Sequence, residues 1–334
     1  MPTITAWGNQ GSGAALSRQQ LSIDDPGPDE VLLEVLYCGL CHSDLGHIDE
    51  QRAAEAPPVV AGHEVVGRVV ALGREVDPAR LGQLCGLGFI AGTCRHCRYC
   101  LSGRQTLCPD LESTILGRPG GFASHVKAHQ DWVIPLPDGL DPAAAGPLLC
   151  AGVTVFEPLF SAGISPTAHV AVIGVGGLGH LALQLARAWG CQVTGITTSS
   201  SKTAEILSLG AHRVQLLGEL DQQQGAYDLI INTSDHALDW DAVVASLAPG
   251  GSLHQLGLCA TPIPLRVFPF VKGNLSFRSS LTSTPANTVR LLAFCARHQI
   301  QPLVEVLPME QINTAIARLR RGDVRYRFVL QGPA

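Results

Sequence analysis

His169-Val170-Ala171-Val172-Ile173-Gly174-Val175-Gly176-Gly177-Leu178-Gly179 is the run that decides the fold class of this chain. Its first five residues, apolar after the histidine, read as a short strand. Glycines follow at once in the pattern G-x-G-x-x-G, at Gly174, Gly176 and Gly179. Leu178, Leu181, Ala182, Leu185 and Trp189 then recur at helical spacing, so an amphipathic helix opens where the loop ends. The glycine pattern alone is weak, because many α/β proteins have glycine-rich turns. A strand before it and a helix after it give it weight. The first glycine permits a tight turn, the second lets the backbone approach a pyrophosphate, and the third lets helix and strand pack closely. The helix N-terminus then offers N–H groups to the phosphates. Gly174, Gly176, Gly177, Leu178 and Gly179 are therefore candidate dinucleotide contacts.

The alternation continues downstream. A strand at 192–197, a helix up to Leu209 stopped by Gly210, and strands at 213–217, 228–233, 252–257 and 276–281 predict a parallel, doubly wound sheet. Upstream the chain is different. Segments 31–37 and 64–72 read as strands, with turn signals at 24–28 and Gly73, so the first half is mainly β. A helix is expected at 149–160. The tail reads as helices at 287–298 and 309–321, a linker-like stretch at 302–308, and a strand at 326–330. We expect the tail to rejoin the first half. The resulting expectation is an α/β protein with a mainly-β catalytic domain, residues 1–150 and 286–334, around a Rossmann cofactor domain, residues 151–285.

The end of the second strand bears on cofactor choice. A dinucleotide site for NAD places an acid there to hold the ribose 2′-hydroxyl. This chain has Thr197-Thr198-Ser199-Ser200-Ser201-Lys202, with no acid between Gly190 and Lys202. Hydroxyls and a lysine suit a 2′-phosphate. Thr197, Thr198, Ser199 and Lys202 are candidate contacts, and NADPH is expected over NADH. The serines could equally cap the next helix.

With 46% apolar and 15% charged residues, the 334-residue chain is an ordered globular protein of more than one domain. A net charge of -5 gives no reason to expect nucleic acid or membrane as a partner. No apolar run reaches the ~18 residues that span a bilayer, and no secretory signal is evident at the start. A cytoplasmic location is expected, where the eleven cysteines would remain reduced. Four of them, Cys94, Cys97, Cys100 and Cys108, lie in C-x2-C-x2-C-x7-C spacing. In a reducing compartment such a cluster reads as a tetrathiolate zinc site with no open position, hence structural rather than reactive. Cys41 (in Cys38-Gly39-Leu40-Cys41-His42-Ser43-Asp44), His63 (in Gly62-His63-Glu64) and Cys150 (in Leu148-Leu149-Cys150-Ala151-Gly152) also have ligand chemistry. Alone, each is more readily a buried thiol or a structural histidine, and spacing cannot join them.

Taken together, these motifs resemble the zinc-dependent medium-chain alcohol dehydrogenases, essentially end to end, down to Asp323-Val324-Arg325-Tyr326-Arg327-Phe328-Val329. Within that family the chain is most similar to the cinnamyl-alcohol-dehydrogenase branch and to bacterial NADPH-dependent broad-range aldehyde reductases. The likeness runs through residues 62–73, 147–156 and 228–233. The resemblance implies a GroES-like catalytic domain, NADP(H), and two zinc ions per chain. It implies that Cys41, His63 and Cys150 hold a catalytic zinc, the ligand set that alcohol dehydrogenases use. Glu64 would be a transient fourth ligand and Asp44 would orient His63. It further implies cofactor contacts at Thr154 and Arg325, a small aldehyde or alcohol substrate, and a homodimer formed through the edge near 276–281.

The implied reaction is reduction of aldehydes to primary alcohols, with zinc polarising the carbonyl and nicotinamide delivering hydride. Ser43 would start the proton path. The family pattern places a histidine five residues after the first zinc cysteine. Here that position is Gly46, and His47 follows it, so that either His47 serves in its place or water carries the proton. Relatives often carry aromatic residues before the Gly-His-Glu motif, whereas residues 50–58 have none, so altered substrate scope is expected. Phe89 is expected to line the pocket. A polyol or sugar dehydrogenase of the same superfamily and a zinc-free quinone reductase relative are the alternatives. The intact four-cysteine loop argues against the first, and the Cys41, His63, Cys150 set against the second.

Overall fold

The computed structural model describes residues 2–9, 11, 13–49 and 58–333. The chain forms two compact units, Met1–Cys150 with Thr284–Ala334, and Ala151–Ser283.

The second unit contains the glycine loop. Six strands, all parallel, lie in the order Arg213–Leu216, Gln192–Thr197, His169–Ile173, Tyr227–Asn232, Leu247–Gln255, Ser276–Arg278. This is the Rossmann order, with the first strand at the point where the strand sequence reverses. Val170, Ala171, Val172 and Ile173 are each at most 2% exposed, as expected for a strand covered on both faces. The helix Gly179–Trp189 buries Leu181, Ala182, Leu185 and Ala186. It ends at Gly190, which takes the left-handed conformation that stops a helix. The last strand is shorter than 276–281: only Ser276–Arg278 pairs, leaving Leu281 outside the sheet and 58% exposed.

In the first unit, seven strands form one sheet. Glu30–Leu40 is its centre, antiparallel to Glu64–Leu72, His125–His129 and Arg327–Gln331. The tail strand Arg327–Gln331 thus pairs directly with the centre of the N-terminal half. Residues 302–308, expected as a linker, instead contain the strand Val304–Pro308, parallel to Arg327–Gln331. Pro302 precedes this edge strand and Pro308 ends it, positions where a missing N–H does not interrupt a ladder. The helix expected at 149–160 begins at Ala151, because a 3-10 turn over Gly146–Leu149 precedes it and Cys150 leaves helical geometry at φ -126°. A helix that the sequence pattern did not announce, His42–Asp49, follows the central strand directly. Among the described residues no single helix is long and apolar enough to cross a membrane.

Candidate active site and cofactor loop

The four-cysteine lobe closes on itself. A short helix, Arg98–Leu101, and a 3-10 turn, Gln105–Leu107, bring Cys94, Cys97, Cys100 and Cys108 together, with all four sulfurs within 4.8 Å of one another. Cys94 Sγ lies 4.0 Å from Cys100 Sγ and 3.5 Å from Cys108 Sγ. A zinc tetrathiolate has sulfur–sulfur edges of about 3.8 Å, so the donors fit that metal. Backbone N–H groups of Cys97 and Cys100 donate to the sulfurs of Cys94 and Cys97. Such bonds favour the thiolate form, and they pull the Cys97 thiol down to about 7. All eleven cysteines are free thiols. Arg95 pairs with Asp29 at 2.9 Å and ties the lobe to the body of its unit.

A second cluster is built from three distant segments. Cys41 sits between the central strand and the His42–Asp49 helix, His63 directly precedes the strand Glu64–Leu72, and Cys150 follows the Gly146–Leu149 turn. Gly62 adopts φ +96°, and a Cβ there would come within 2.6 Å of the Phe122 nitrogen; only glycine makes this bend, which turns His63 inward. Cys41 Sγ and Cys150 Sγ are 4.0 Å apart, and His63 Nε2 is 3.3 Å from Cys150 Sγ. One donor atom each from Cys41, His63, Glu64 and Cys150 falls within 4.8 Å of the others.

Asp44 braces this cluster. It is fully buried, accepts from the backbone N–H groups of Cys41 and Gly62 at 2.9 Å each, and meets His63 Nδ1 at 2.8 Å. A carboxylate on Nδ1 leaves Nε2 facing the thiols. Burial opposes protonation of His63, but the Asp44 carboxylate outweighs it and holds the imidazole well above its ordinary value. A hydrogen bond from Cys150 pulls the Cys41 thiol well below its ordinary value, against burial and with help from Arg327 and His63. Thiolate is the form that binds metal.

Glu64 and Arg327 form an ion pair at 0% and 3% exposure. The other carboxylate oxygen of Glu64 is buried without a hydrogen-bond partner. A carboxylate with an orphaned oxygen, in a cluster with two thiols and an imidazole, is a group that a divalent cation would satisfy. Arg327 escaped the sequence reading. The available signal was a charge inside the apolar run Tyr326 to Leu330, since a buried charge needs a partner.

Ser43 and His47 are half-buried, four residues apart on one helix, so they share a face. Ser43 Oγ is 3.7 Å from Cys41 Sγ. Phe89 neighbours both histidines: its ring stacks with that of His47 at 6.3 Å and meets that of His63 edge-to-face at 5.5 Å. Residues 50–57, most of the stretch tied to substrate scope, lie outside the described residues.

In the other unit, Gly174 takes φ +84°, and a Cβ on Gly179 would run into the Gly174 carbonyl oxygen, so loop and helix are in close contact. Space is open beside Gly176, and no side chain caps the helix at Leu178. This is the cradle a pyrophosphate needs. Thr197 is buried, Ser199 and Lys202 are half-buried, and Thr198 is exposed. Ser199 Oγ bonds Ser201 Oγ at 2.7 Å and caps no helix. Neither does the side chain of Lys202, which begins the helix Thr203–Ser208. Thr154 is half-buried on the helix Ala151–Ser161, and Arg325 is exposed, its guanidinium 5.7 Å from the Tyr326 ring.

Residues 27–138 match the profile of the alcohol dehydrogenase GroES-like domain, and residues 177–297 that of the zinc-binding dehydrogenase. The chain is 46% identical to aldehyde reductase AdhA of Synechocystis over 309 residues, 91% of each chain. It is 34% identical to a solved cinnamyl alcohol dehydrogenase of Sorghum bicolor, with a TM-score of 0.92 over 99% of this chain and 98% of that one. A Helicobacter pylori enzyme of that type, solved with NADP(H), is 26% identical with a TM-score of 0.89 over 98% of both chains.

Proposed function

The chain belongs to the zinc-dependent medium-chain alcohol dehydrogenases, in their cinnamyl-alcohol-dehydrogenase branch, and from that premise we propose that it works in the cell as an NADPH-linked aldehyde reductase. It interconverts aldehydes and alcohols with zinc and NADP(H). The observation that carries the assignment of residues is the convergence of Cys41, His63, Cys150 and Glu64 donors within 4.8 Å, braced by Asp44.

When bound, zinc withdraws electron density from the substrate oxygen and the nicotinamide supplies hydride. The chain's residues prepare and complete that step. Cys41, His63 and Cys150 hold the metal, and Asp44 fixes the His63 tautomer through Nδ1. Arg327 holds Glu64 by one carboxylate oxygen and leaves the other without a hydrogen-bond partner. The Ser43 hydroxyl gives the proton to the product oxygen. His47 shares its helix face with Ser43 and takes the place of the relay histidine that Gly46 cannot supply. Phe89 forms an apolar wall beside the substrate. Gly174 to Gly179 seat the pyrophosphate, with Thr154 and Arg325 as further contacts. Thr197, Thr198, Ser199 and Lys202 take the 2′-phosphate; the free side of Ser199, engaged in no cap, supports that role.

Cys94, Cys97, Cys100 and Cys108 hold the second zinc and brace their lobe. Two copies of the chain assemble through the edge strand Ser276–Arg278. Val267, Phe268 and Val271, each more than 70% exposed on the helix Val267–Gly273, support an apolar contact in that unit. The protein resides in the cytoplasm, where its thiols stay reduced.

Metal analysis and a substrate panel test this reading together. Two zinc ions per chain and faster reduction of aldehydes with NADPH than with NADH are expected. The panel compares short aliphatic, long aliphatic and cinnamyl-type aldehydes, with mannitol in the reverse direction. One zinc with polyol turnover, no zinc at all, or a preference for NADH would overturn it.

A further inference from the structure

We infer that Asn9 is a positioning residue for the reaction centre: its buried side chain holds the last turn of the helix bearing Ser43, Asp44 and His47, while its backbone is bridged to the segment that delivers His63. The inference rests on the roles proposed above for those residues. Asn9 is 3% exposed. Both of its side-chain N–H bonds are used: Nδ2 donates to the Ile48 carbonyl and to the Gly11 carbonyl, each at 2.9 Å. Its backbone forms a reciprocal antiparallel bridge with Val59, 3.2 Å in each direction. One residue thus grips the end of the His42–Asp49 helix and a point four residues before His63.

Asp44 makes the same crossing nearer the reactive end, from the helix to Gly62 and His63. The helix is held to the His63 segment at two points about one turn apart. With one tie removed, it can pivot about the other, and the pivot moves Ser43 and His47 relative to the cluster. An asparagine suits this task. A carboxylate would set its charge against two carbonyl oxygens, and an apolar side chain would release both. Trp7, Ile48 and Val60 belong to the apolar core, where a buried amide is retained only if its bonds are made. Gly13 N–H also donates to the Ile48 carbonyl, at 3.1 Å, so that acceptor keeps one partner when Asn9 is removed. The consequence of losing Asn9 is therefore more geometric than thermodynamic.

A second asparagine separates positioning from plain stabilisation. Asn313 clasps Leu16, further along the same N-terminal segment, through both its N–H and its carbonyl at 2.9 Å. Asn9→Ala, the milder Asn9→Ser and Asn313→Ala are compared with the parent in the full-length, zinc-loaded protein. Aldehyde reduction is measured across pH, together with Tm, zinc content and the visible spectrum of the cobalt-substituted catalytic site. Asn9→Ala is expected to lower kcat about tenfold, the scale of a misplacement well under 1 Å. It should also change the pH profile of kcat and shift the cobalt spectrum, with KM for NADPH and zinc content unchanged. Asn9→Ser should move the same way, because its hydroxyl is too short to reach both carbonyls. Asn313→Ala should lower Tm without altering kcat, pH profile or spectrum. Asn9 variants with the parent's kcat profile and cobalt spectrum, or an Asn313 variant that loses as much, would overturn the inference. If the parent reduces no aldehyde, the proposed function fails, and the cobalt spectra still decide whether Asn9 positions the site.

Discussion

Replacing Arg327 with methionine should destabilise its unit by about 3–5 kcal/mol, the penalty of leaving a buried charge without its partner. The size follows from the surroundings. Glu64 is 0% exposed and Arg327 3%, and one Glu64 oxygen already lacks a hydrogen-bond partner. Without the guanidinium, the carboxylate faces Cys41 and Cys150 with only the His63 imidazole left to compensate its charge. Its escape is to take up a proton. Burial already raises the Glu64 carboxyl above its ordinary value of 4.5, against the pull of Arg327, and removing Arg327 raises it further. The folded state then keeps a proton that the unfolded chain releases, so stability falls as pH rises from about 4.5 through the folded-state value. The loss in Arg327→Met should accordingly be small near pH 4.5 and grow toward neutrality. Urea unfolding of the zinc-loaded protein at several pH values reads this directly. Adding Glu64→Gln should recover part of the loss, because the stranded charge is gone. A single variant within ~1 kcal/mol of the parent at pH 7 would refute the reasoning, since breaking a buried pair is expected to cost several times that. So would a loss independent of pH, or a double variant no better than the single.

Other outcomes follow from the same geometry. Lys202→Glu should reduce kcat/KM for NADPH by roughly 10–100-fold, the worth of one charge-assisted hydrogen bond, and leave the NADH value nearly unchanged; equal losses with both cofactors would remove Lys202 from the 2′-phosphate site. Replacing Cys97 and Cys100 together should halve the zinc content and lower Tm first, with activity lost as the lobe unfolds; normal melting and full activity would contradict a bracing role for the lobe. Burial, with Arg278 assisting, pushes His254 down to about 4. The unfolded chain therefore takes up a proton that the folded chain refuses, and stability conferred by the neutral imidazole is lost as pH falls from about 6.5 toward 4, by at most ~3 kcal/mol. His254→Gln should flatten the dependence of the denaturation midpoint on pH in that window, and an unchanged slope would show that other groups set it.

The parts of this protein that can be read from sequence are those whose physics is local. A strand, a glycine turn and a helix occupy consecutive residues from His169 to Trp189, and Gly179 packs against the Gly174 carbonyl within the loop itself. The four-cysteine lobe is local for a related reason: closing fifteen residues around one metal requires short, regular spacing. The reactive cluster obeys a different constraint. Its donors come from distant segments brought together by sheet pairing, such as Gly39 opposite Glu64. Spacing is silent about such donors, and Cys41, His63 and Cys150 could be joined from sequence only by resemblance. Their supports are harder still to see. Asp44 and His47 lie on a short helix that contains Gly46 and follows a strand without a turn, and its pattern is too weak to announce it. Arg327 is visible as a charge in an apolar strand, but its partner emerges only when Phe328 pairs with Leu40 and brings the tail strand beside the centre of the sheet. Asn9 carries no signal at all, since a polar residue after a strand looks like any loop residue until its amide is found buried and bonded to the Ile48 and Gly11 carbonyls. An open metal site needs its geometry held from outside the ligand set, and the residues that hold it are under no constraint of spacing. In this chain, buried and hydrogen-bonded polar groups are therefore the place to look for further positioning residues, before exposed residues around the reactive cluster.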